Sequence, residues 1–286
     1  MNLANKWKDY EILDMANGEK LEKWGNIVLV RPDPQIIWKD KSFPKLWNSY
    51  NAKYNRSKTG GGSWEYKTRL PENWQIKYNG LTFNIKPMGF KHTGLFPEQA
   101  FNWDWMIDKI KSSNREIKVL NLFAYTGGAS VACLSAGASV CHVDSSKGMV
   151  SWAKENVLSS GLQDKRIRYI VDDVQKFLER EIRRGNKYDA IIMDPPSYGR
   201  GTKGEIWQFE ENISDLVKKS VEVLSEKPLF VLINSYTTGI SSTVLENILR
   251  LNLKIGGEFS SGEIGLPMKN SKLILPCGIY ARWEEQ

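Results

Sequence analysis

The last two-thirds of the chain repeats one pattern, in which short apolar runs alternate with longer amphipathic segments. The runs predict strands, and the segments between them predict helices. The strands are expected at residues 119–123, 139–143, 167–171, 190–193 and 229–233, and the helices at 129–136, 146–158, 174–183 and 213–224. Strands of this type, each followed by a helix, indicate a parallel sheet covered on both faces. The pattern therefore predicts a doubly wound α/β domain.

The first third of the chain follows a different pattern, with short runs of β character and frequent turn residues. Strands are predicted at residues 26–30, 35–38, 74–78 and 81–85, and Asn79-Gly80 is a strong tight-turn signal between the last two. Residues 48–63 are polar and end in three glycines, which predicts a mobile basic loop. We therefore predict a small β-rich, Trp-rich basic domain over residues 1–88 and a second domain over residues 89–286.

Composition narrows the class of protein. The 286 residues are 41% hydrophobic and 26% charged, which excludes a disordered, collagen-like or coiled-coil chain. Three cysteines form neither a disulfide framework nor a Cys-x-x-Cys pair, and no metal site is expected. The N-terminus lacks an apolar signal stretch, and the uncharged residues 119–143 contain too many polar side chains for a membrane span. A cytoplasmic protein is expected.

Basic charge and tryptophan are concentrated at the start of the chain. Residues 1–90 contain 15 Lys and Arg against 9 Asp and Glu, a surplus of six out of the net +7. Six of the 11 tryptophans lie there: Trp7, Trp24, Trp38, Trp47, Trp64 and Trp74. Basic residues among aromatics suit a polyanion with unpaired bases. The alternative is a small β domain that uses tryptophan as core and lysine as solvated cover.

Polar residues follow several of the predicted strands, at the sheet edge where doubly wound folds bind ligands. The first strand runs into Tyr125-Thr126-Gly127-Gly128, whose glycines allow a tight turn and close approach by a ligand. The second strand ends in Asp144, placed to accept hydrogen bonds from ribose hydroxyls, and Asp172-Asp173 could reach an adenine amino group. Nicotinamide dinucleotides and S-adenosylmethionine share this layout. The Gly-x-Gly-x-x-Gly loop that binds a pyrophosphate is absent, which favours S-adenosylmethionine.

The fourth strand ends in Asp194-Pro195-Pro196-Ser197-Tyr198, the sharpest signal in the chain. Two prolines fix φ and cannot donate hydrogen bonds, so they predict a rigid lip that presents a carboxylate and backbone carbonyls. These acceptors could orient a nitrogen nucleophile, and Tyr198 could stack on a base. The basic loop 199–204 that follows could close on a phosphate.

With these motifs the sequence resembles the class I S-adenosylmethionine-dependent RNA methyltransferases related to the bacterial large-subunit (23S) rRNA cytosine-C5 methyltransferase. The resemblance implies a Rossmann-like catalytic domain, and it begins at about Gly89. The stretches that resemble the family are Phe-Lys-His-Thr-Gly-Leu-Phe at 90–96, Asn-Leu-Phe-Ala-Tyr-Thr-Gly-Gly at 121–128, Asp144, and Asp-Pro-Pro-Ser at 194–197.

The resemblance also implies roles for individual residues. Asp144 would bind the ribose, Asp173 would meet the adenine, and Asp194 would border the target. The cofactor pocket would be lined by Lys91, Thr93, Gly94 and Phe96, and the methionine end would be surrounded by Asn121, Phe123, Tyr125 and Gly127. Together with the lip, this gives Asp194, Pro195, Pro196 and Tyr198 as the candidate catalytic residues.

One departure from the family concerns the chemistry. The cytosine-C5 enzymes use a cysteine thiolate that adds to the base, and the family's cysteine follows the fifth strand. Here that strand runs Leu232-Ile233-Asn234-Ser235-Tyr236, without a cysteine. Cys133 and Cys141 fall in a predicted helix and a predicted strand, where they are expected to be core residues. The role of Cys277 stays open. Transfer to nitrogen needs no covalent activation, so nitrogen is favoured over C5, with Asn234 as a second polar contact.

The sequence therefore predicts a methyltransferase that uses S-adenosylmethionine, acts on a base in RNA, most plausibly rRNA, and takes no metal or membrane partner. A methyltransferase of protein or a small molecule remains an alternative. A nicotinamide-dependent oxidoreductase on the same sheet and a non-catalytic RNA-binding protein are the alternatives from other classes. The oligomeric state stays open, with a homodimer as one alternative.

Overall fold

The computed structural model describes residues 1–57, 61–200 and 206–286, which divide into two compact units. The small unit comprises Asn2–Phe101 and Gly265–Cys277. The large unit comprises Met1, Asn102–Ile264 and Gly278–Gln286. The small unit thus takes in a segment near the C-terminus as well as the first third of the chain. The boundary expected after residue 88 stays a prediction about domain organisation.

The small unit is built mainly from β-strands. They are β1 (Asn2–Leu3), β2 (Tyr10–Ala16), β3 (Glu19–Trp24), β4 (Ile27–Pro32), β5 (Ala52–Arg56), β6 (Gly62–Tyr66), β7 (Trp74–Tyr78) and β8 (Leu81–Ile85). Strands β2 to β6 form one sheet in chain order, and β7 and β8 form a hairpin. Asn79 and Gly80 have φ of 46° and 83°, as a type I′ turn requires. The β-rich character and this hairpin are confirmed.

Two predictions for the first third are wrong. Residues 35–38 form no strand, because the chain turns at Asp33-Pro34 and the carbonyls of Ile36 and Trp38 accept hydrogen bonds from the Asn17-Gly18 turn. Residues 48–63 are not one loop, because β5 and β6 pair as antiparallel strands with the Tyr54 and Trp64 rings 5.4 Å apart. Lys58, assigned to that loop, lies outside the described residues.

Two of the six tryptophans of the first third are buried, and the other four are half-buried. Trp24 and Trp47 are buried, and the indole N–H of Trp47 donates to the Asp14 carboxylate at 2.8 Å. The indoles of four others donate to backbone carbonyls at 2.7–3.0 Å: Trp7, Trp38, Trp64 and Trp74. A ring whose N–H is bound to the backbone is fixed in place. The structure therefore supports the core interpretation of these tryptophans over a base-stacking surface.

The large unit contains the predicted sheet and its helices. Its strands are β9 (Lys118–Leu122), β10 (Ser139–Asp144), β11 (Ile167–Val171), β12 (Ala190–Met193) and β15 (Phe230–Ser235), with a small hairpin of β13 (Tyr198–Arg200) and β14 (Ile206–Gln208). The helices are α1 (Ala100–Ser112), α2 (Gly128–Ser135), α3 (Lys147–Ser159), α4 (Val174–Arg184), α5 (Phe209–Val221) and α6 (Ser242–Asn252). Two long strands, β16 (Glu258–Pro267) and β17 (Ile274–Glu284), complete the chain.

Strand order confirms the doubly wound fold. Within the large unit the order is β16-β17-β15-β12-β9-β10-β11, and the five strands from β15 to β11 are parallel. Strand β17 pairs with β15 in the antiparallel direction, so the sheet is mixed at this side. The chain goes from β9 to β10 on one side and later returns to β12 on the other. Strand order therefore reverses at β9, where open α/β sheets bind their ligands.

Burial explains why these elements form. Strands β12 and β15 are buried along their whole length, as strands covered on both faces are. Helix α4 buries Val174, Phe177 and Leu178 against the sheet and ends at Gly185, whose φ of 68° is the usual left-handed helix cap. Across the described residues, no helix combines the length and apolarity that crossing a membrane would require.

Candidate active site

The turn after β9 has an unusual backbone. Phe123 and Tyr125 have φ of 55° and 51°, in the left-handed region that side chains with a Cβ disfavour. Such residues cost about 1–3 kcal/mol each and concentrate at functional sites. The turn is held by Ala124 N, which donates to Val143 O at 3.0 Å, and by Gly127 N, which donates to Ala124 O at 2.9 Å.

Gly127 is required by this turn for two reasons. Its φ is 81°, and a Cβ at this position would lie 2.9 Å from the Cβ of Ala153 on α3. Helix α2 starts at the next residue and packs beside α3 at this point. The tight turn predicted from Gly127-Gly128 is therefore present. Contact of Gly127, Phe123 and Tyr125 with a cofactor stays a prediction.

Asp144 joins the ends of the first two parallel strands. One carboxylate oxygen accepts from Tyr125 N and the other from Ser146 N, both at 2.8 Å. Burial raises the pKa of this carboxyl, and the two backbone hydrogen bonds oppose that rise. Each carboxylate oxygen has a further lone pair. Asp144 can therefore hold the turn and still accept further hydrogen bonds, and its contact with ribose hydroxyls stays a prediction.

Asp173 caps a helix. Its Oδ1 accepts from Lys176 N at 3.0 Å, which satisfies one of the exposed N–H groups at the start of α4. Its neighbour Asp172 accepts from Asp173 N at 2.9 Å and forms an ion pair with Arg180. The cap uses one oxygen of Asp173, so the adenine contact predicted for this side chain would have to use the other.

Asn121 lies in a buried polar network below the turn. Its Nδ2 donates to Ser130 Oγ at 2.9 Å, and Ser130 Oγ lies 3.0 Å from His142 Nδ1. Burial lowers the pKa of His142 to about 4, so the ring is neutral at pH 7. His142 Nε2 is buried without a hydrogen-bond partner among the described residues. His142 is buried in β10, and its contact with Ser130 was not predicted from the sequence.

The Asp-Pro-Pro lip is held by a hairpin that the sequence did not predict. Asp194 N donates to Leu122 O at 3.4 Å, which continues the ladder beyond β12. Pro195 is buried and Pro196 is exposed. Trp207 Nε1 on β14 donates to Pro196 O at 2.6 Å, and Phe209 N donates to Ser197 O at 3.0 Å. Two carbonyls predicted to face a substrate therefore accept from the hairpin and from the start of α5 instead.

The hairpin presents Tyr198 at the surface. Tyr198 pairs with Gln208 across the hairpin and is 52% exposed, which leaves ring area for a planar ligand. The centroids of the Trp207 and Phe123 rings lie 5.5 Å apart, so the hairpin packs against a side chain of the turn after β9. Of the predicted phosphate-binding loop, Gly199 and Arg200 belong to β13, and residues 201–204 lie outside the described residues.

Four of the residues predicted to line the cofactor pocket belong to the small unit: Lys91, Thr93, Gly94 and Phe96. Lys91 O accepts from Arg31 Nη1 at 3.0 Å, and Thr93 O accepts from Lys86 N at 3.2 Å. Burial lowers the pKa of Lys91. Gly94 has φ of 97°, and Phe96 packs edge-on against His92. Thr93 Oγ1 is buried and has no hydrogen-bond partner among the described residues, as expected for a hydroxyl that a ligand would satisfy.

The three thiols are in environments that keep them protonated. Burial raises the pKa of Cys133 well above its ordinary value and that of Cys141 to about 11. Cys277 belongs to the small unit, where burial also raises its pKa and its Sγ donates to Leu275 O at 3.4 Å. The core placement of Cys133 and Cys141 is confirmed.

The residues present fit S-adenosylmethionine. In the large unit, a left-handed turn without a pyrophosphate loop adjoins an aspartate that can accept from a ribose. When bound, this cofactor supplies a methyl group on a positively charged sulfur.

Comparison with known proteins agrees with this fit. The S-adenosylmethionine-dependent methyltransferase family matches residues 52–256. The crystal structure of the SAM-dependent methyltransferase from Agrobacterium tumefaciens is 36% identical, covers 100% of this chain and 93% of its own, and superposes with a TM-score of 0.94. A nicotinamide-dependent oxidoreductase is therefore excluded.

Two curated relatives are ribosomal RNA methyltransferases by name. The chain is 31% identical to ribosomal RNA large subunit methyltransferase K/L of Shewanella frigidimarina over 158 residues, which are 54% of this chain and 21% of that protein. It is 27% identical to ribosomal RNA large subunit methyltransferase K of Neisseria meningitidis serogroup B over 188 residues, 65% of this chain and 51% of that protein. The matches thus span about half of these relatives or less. From the family match and the Agrobacterium structure, the chain belongs to the S-adenosylmethionine-dependent methyltransferase family and is an enzyme that uses this cofactor.

Proposed function

We propose that this methyltransferase modifies a base in RNA, with large-subunit ribosomal RNA as the favoured substrate. The observation behind the proposal is the lip after β12, where Asp194 and the exposed ring of Tyr198 stand four residues apart on a segment fixed by prolines and by Trp207. A carboxylate and an open aromatic face are the two groups that orient and stack a base. The two curated relatives, named as ribosomal RNA enzymes, support the choice of RNA.

Nitrogen is the favoured target atom. Transfer to C5 of a pyrimidine needs a thiolate, and burial raises the pKa of Cys133, Cys141 and Cys277. Strand β15 and the turn after it contain no cysteine from Phe230 to Gly239. A nitrogen nucleophile requires only orientation along the line of transfer and loss of its proton. Asp194 is the group proposed to accept a hydrogen bond from that nitrogen.

The surface charge of the first third gives weaker support. Its surplus of six basic residues suits a phosphate backbone. Two of its tryptophans, however, are buried, and the other four are half-buried and bind the protein's own carbonyls. Recognition of the base is therefore proposed for the lip of the large unit.

Substitution of Asp194 tests this proposal. Purified wild-type protein is incubated with tritiated S-adenosylmethionine and total RNA from cells that lack the gene, and label in RNA is counted. We expect labelled RNA with the wild type, and a loss of about a hundredfold in D194N with the cofactor Kd unchanged, because a neutral amide oxygen accepts a hydrogen bond at the reacting atom more weakly than a carboxylate does. The matched control is D215N, which makes the same change at an exposed position on α5.

Two outcomes would contradict the proposal in different ways. Full activity of D194N would remove Asp194 from the site. Label that enters a protein or small-molecule fraction, with none in RNA, would replace the RNA substrate with one of those classes.

A further inference from the structure

The strand register places a buried asparagine beside Asp194. Strands β12 and β15 are parallel, and Met193 is paired with Ile233. Asp194 and Asn234 are the next residues on each strand, so they are neighbours at the carboxyl ends, about 5 Å apart at Cα. Side chains at paired positions of parallel strands leave the same face of the sheet. Asn234 therefore lies on the side of the sheet to which Asp194 belongs.

Asn234 is the last member of a polar chain that starts at an arginine. Arg282 on β17 donates through Nη2 to Asn102 Oδ1 on α1, and Asn102 Nδ2 donates to Asn234 Oδ1 at 2.8 Å. All three side chains are buried, with exposures of 5% for Arg282, 0% for Asn102 and 2% for Asn234. All three belong to the large unit.

The arginine sets the direction of every hydrogen bond in this chain. A guanidinium has only donors, so Asn102 must turn its carbonyl oxygen toward Arg282. The Asn102 amide N–H₂ then faces Asn234, which must accept the hydrogen bond with its own carbonyl oxygen. This leaves the N–H₂ of Asn234 as its remaining polar group. The order of donors thus follows from the chemistry of arginine, and not from an arbitrary choice between the two amide orientations.

The arginine itself is held firmly and stays charged. Its guanidinium stacks 4.3 Å from the ring centroid of Trp105 and 4.3 Å from that of Tyr280. Burial lowers the pKa of Arg282 to about 10, which still leaves it protonated at pH 7. A fixed cation at one end therefore keeps both amides from rotating by half a turn.

We propose that Asn234 determines specificity for the target base by donating a hydrogen bond from Nδ2 to a ring nitrogen or carbonyl oxygen of that base. This rests on the proposed function, in which Asp194 accepts a hydrogen bond from the nucleophilic nitrogen. The donor of Asn234 and the acceptor of Asp194 lie side by side. Together they select bases in which an acceptor atom lies next to the nitrogen that donates to Asp194. Arg282 and Asn102 are positioning residues, since they act through Asn234.

The variant N234D tests the donor. Aspartate has the shape of asparagine and still accepts from Asn102, but it offers the base an acceptor in place of a donor. With RNA from cells lacking the gene as substrate, kcat/KM for RNA should fall about tenfold to a hundredfold, since a site built for a hydrogen bond penalises its loss strongly. The Kd for S-adenosylmethionine should stay close to wild type, and the thermal unfolding temperature should fall, because a carboxylate replaces a buried amide.

The variant N102D tests the chain of hydrogen bonds from a distance. The new carboxylate would accept from Arg282 and also present an acceptor to Asn234, whose amide would rotate and turn its oxygen to the base. RNA methylation should fall as it does in N234D, although residue 102 is not proposed to touch the base. The control is N247D, the same substitution at an exposed position on α6, which should keep wild-type activity.

Each outcome separates this inference from the proposed function. If the wild type labels no RNA, the proposed function fails. If the wild type labels RNA and either N234D or N102D folds and stays within twofold of its activity, the specificity role of Asn234 is overturned. A parallel loss of cofactor affinity in N234D would place Asn234 in the cofactor site and would also overturn it. If one of the two variants fails to fold, the other decides.

Discussion

At the scale of single residues, the turn after β9 uses backbone conformations that most side chains avoid. Phe123 and Tyr125 are left-handed despite their Cβ atoms, and Gly127 is left-handed with no room for one. The hydrogen bond from Tyr125 N to Asp144 is one of the contacts that holds this geometry. We infer that the turn is shaped by its surroundings in advance of ligand binding.

The variant G127A should separate backbone strain from steric overlap. Alanine at 127 combines a disfavoured φ with a Cβ 2.9 Å from Ala153 Cβ, so we expect a loss of about 2–4 kcal/mol of stability and at least tenfold weaker cofactor binding. The control is G161A, where φ is 68° and nothing lies within 4 Å of an added Cβ. It should lose only about 1 kcal/mol, with cofactor affinity intact. Equal effects of the two variants, measured by denaturation and calorimetry, would contradict this account.

Asp144 should determine how cofactor binding depends on pH. Burial raises its pKa, and only the ionised carboxylate accepts hydrogen bonds on both oxygens. Affinity for S-adenosylmethionine should therefore fall as the pH is lowered through that raised pKa, at a higher pH than an ordinary aspartate would give. D144A should weaken binding about a hundredfold at pH 7.5, and D144N should remove this pH dependence. Calorimetric Kd values across pH test this, and an unchanged Kd in D144A would refute the ribose role.

Some residues of the site could be predicted from the sequence, and others could not. Asp144 and Asp194 were predicted because each is an acidic residue directly after an apolar strand, a local signal. Asn102 and Arg282 were not predicted, because the hydrogen bonds of their network join residues 132 and 180 positions apart. Pairings of that kind depend on which strands become neighbours, and the pattern along the chain does not contain strand order.

At the scale of elements, the sequence predicted the bounds of β11 and β12 correctly. Strand β12 is an uninterrupted apolar run that is buried along its whole length, and such a run has few alternatives to a central strand. Strand β11 lies at the edge of the sheet, and its residues are half-buried or exposed. Strand β3, Glu-Lys-Leu-Glu-Lys-Trp, was missed because four of its six residues are charged. Its buried Glu22 accepts two hydrogen bonds from Arg31 and one from Tyr10, and this cluster compensates the buried charge.

The β13–β14 hairpin allows a test of base stacking. Y198A should raise KM for RNA about tenfold, because the stacking of a base on an aromatic ring is lost, and Y198F should restore it. The matched control is I206A on the partner strand, where an apolar side chain is exposed to a similar extent, 57% against 52%. All three variants should keep the wild-type Kd for the cofactor. An equal effect of Y198A and I206A on KM would indicate that the hairpin only needs apolar surface.

At the scale of the whole molecule, the order of the strands explains why the candidate groups of the large unit lie together. The chain leaves β9 toward β10 and later returns to β12 on the other side, so the ends of these three strands meet at one edge. Asp144 and Asp194 lie 50 residues apart in sequence and follow two strands that both flank β9. The doubly wound pattern predicted this edge. The pattern did not predict strands β16 and β17 or helix α1, because these elements do not follow the strand–helix repeat.

Nucleoside mass spectrometry tests whether this methyltransferase modifies a base in RNA. RNA from cells with and without the gene is digested, and every methylated nucleoside is quantified. We expect one nucleoside methylated at a nitrogen of the base to disappear without the gene and to return with the wild-type gene, but not with D194N. Loss of 5-methylcytidine would contradict transfer to nitrogen and direct attention to Cys277. An unchanged profile across growth conditions would contradict the RNA substrate itself.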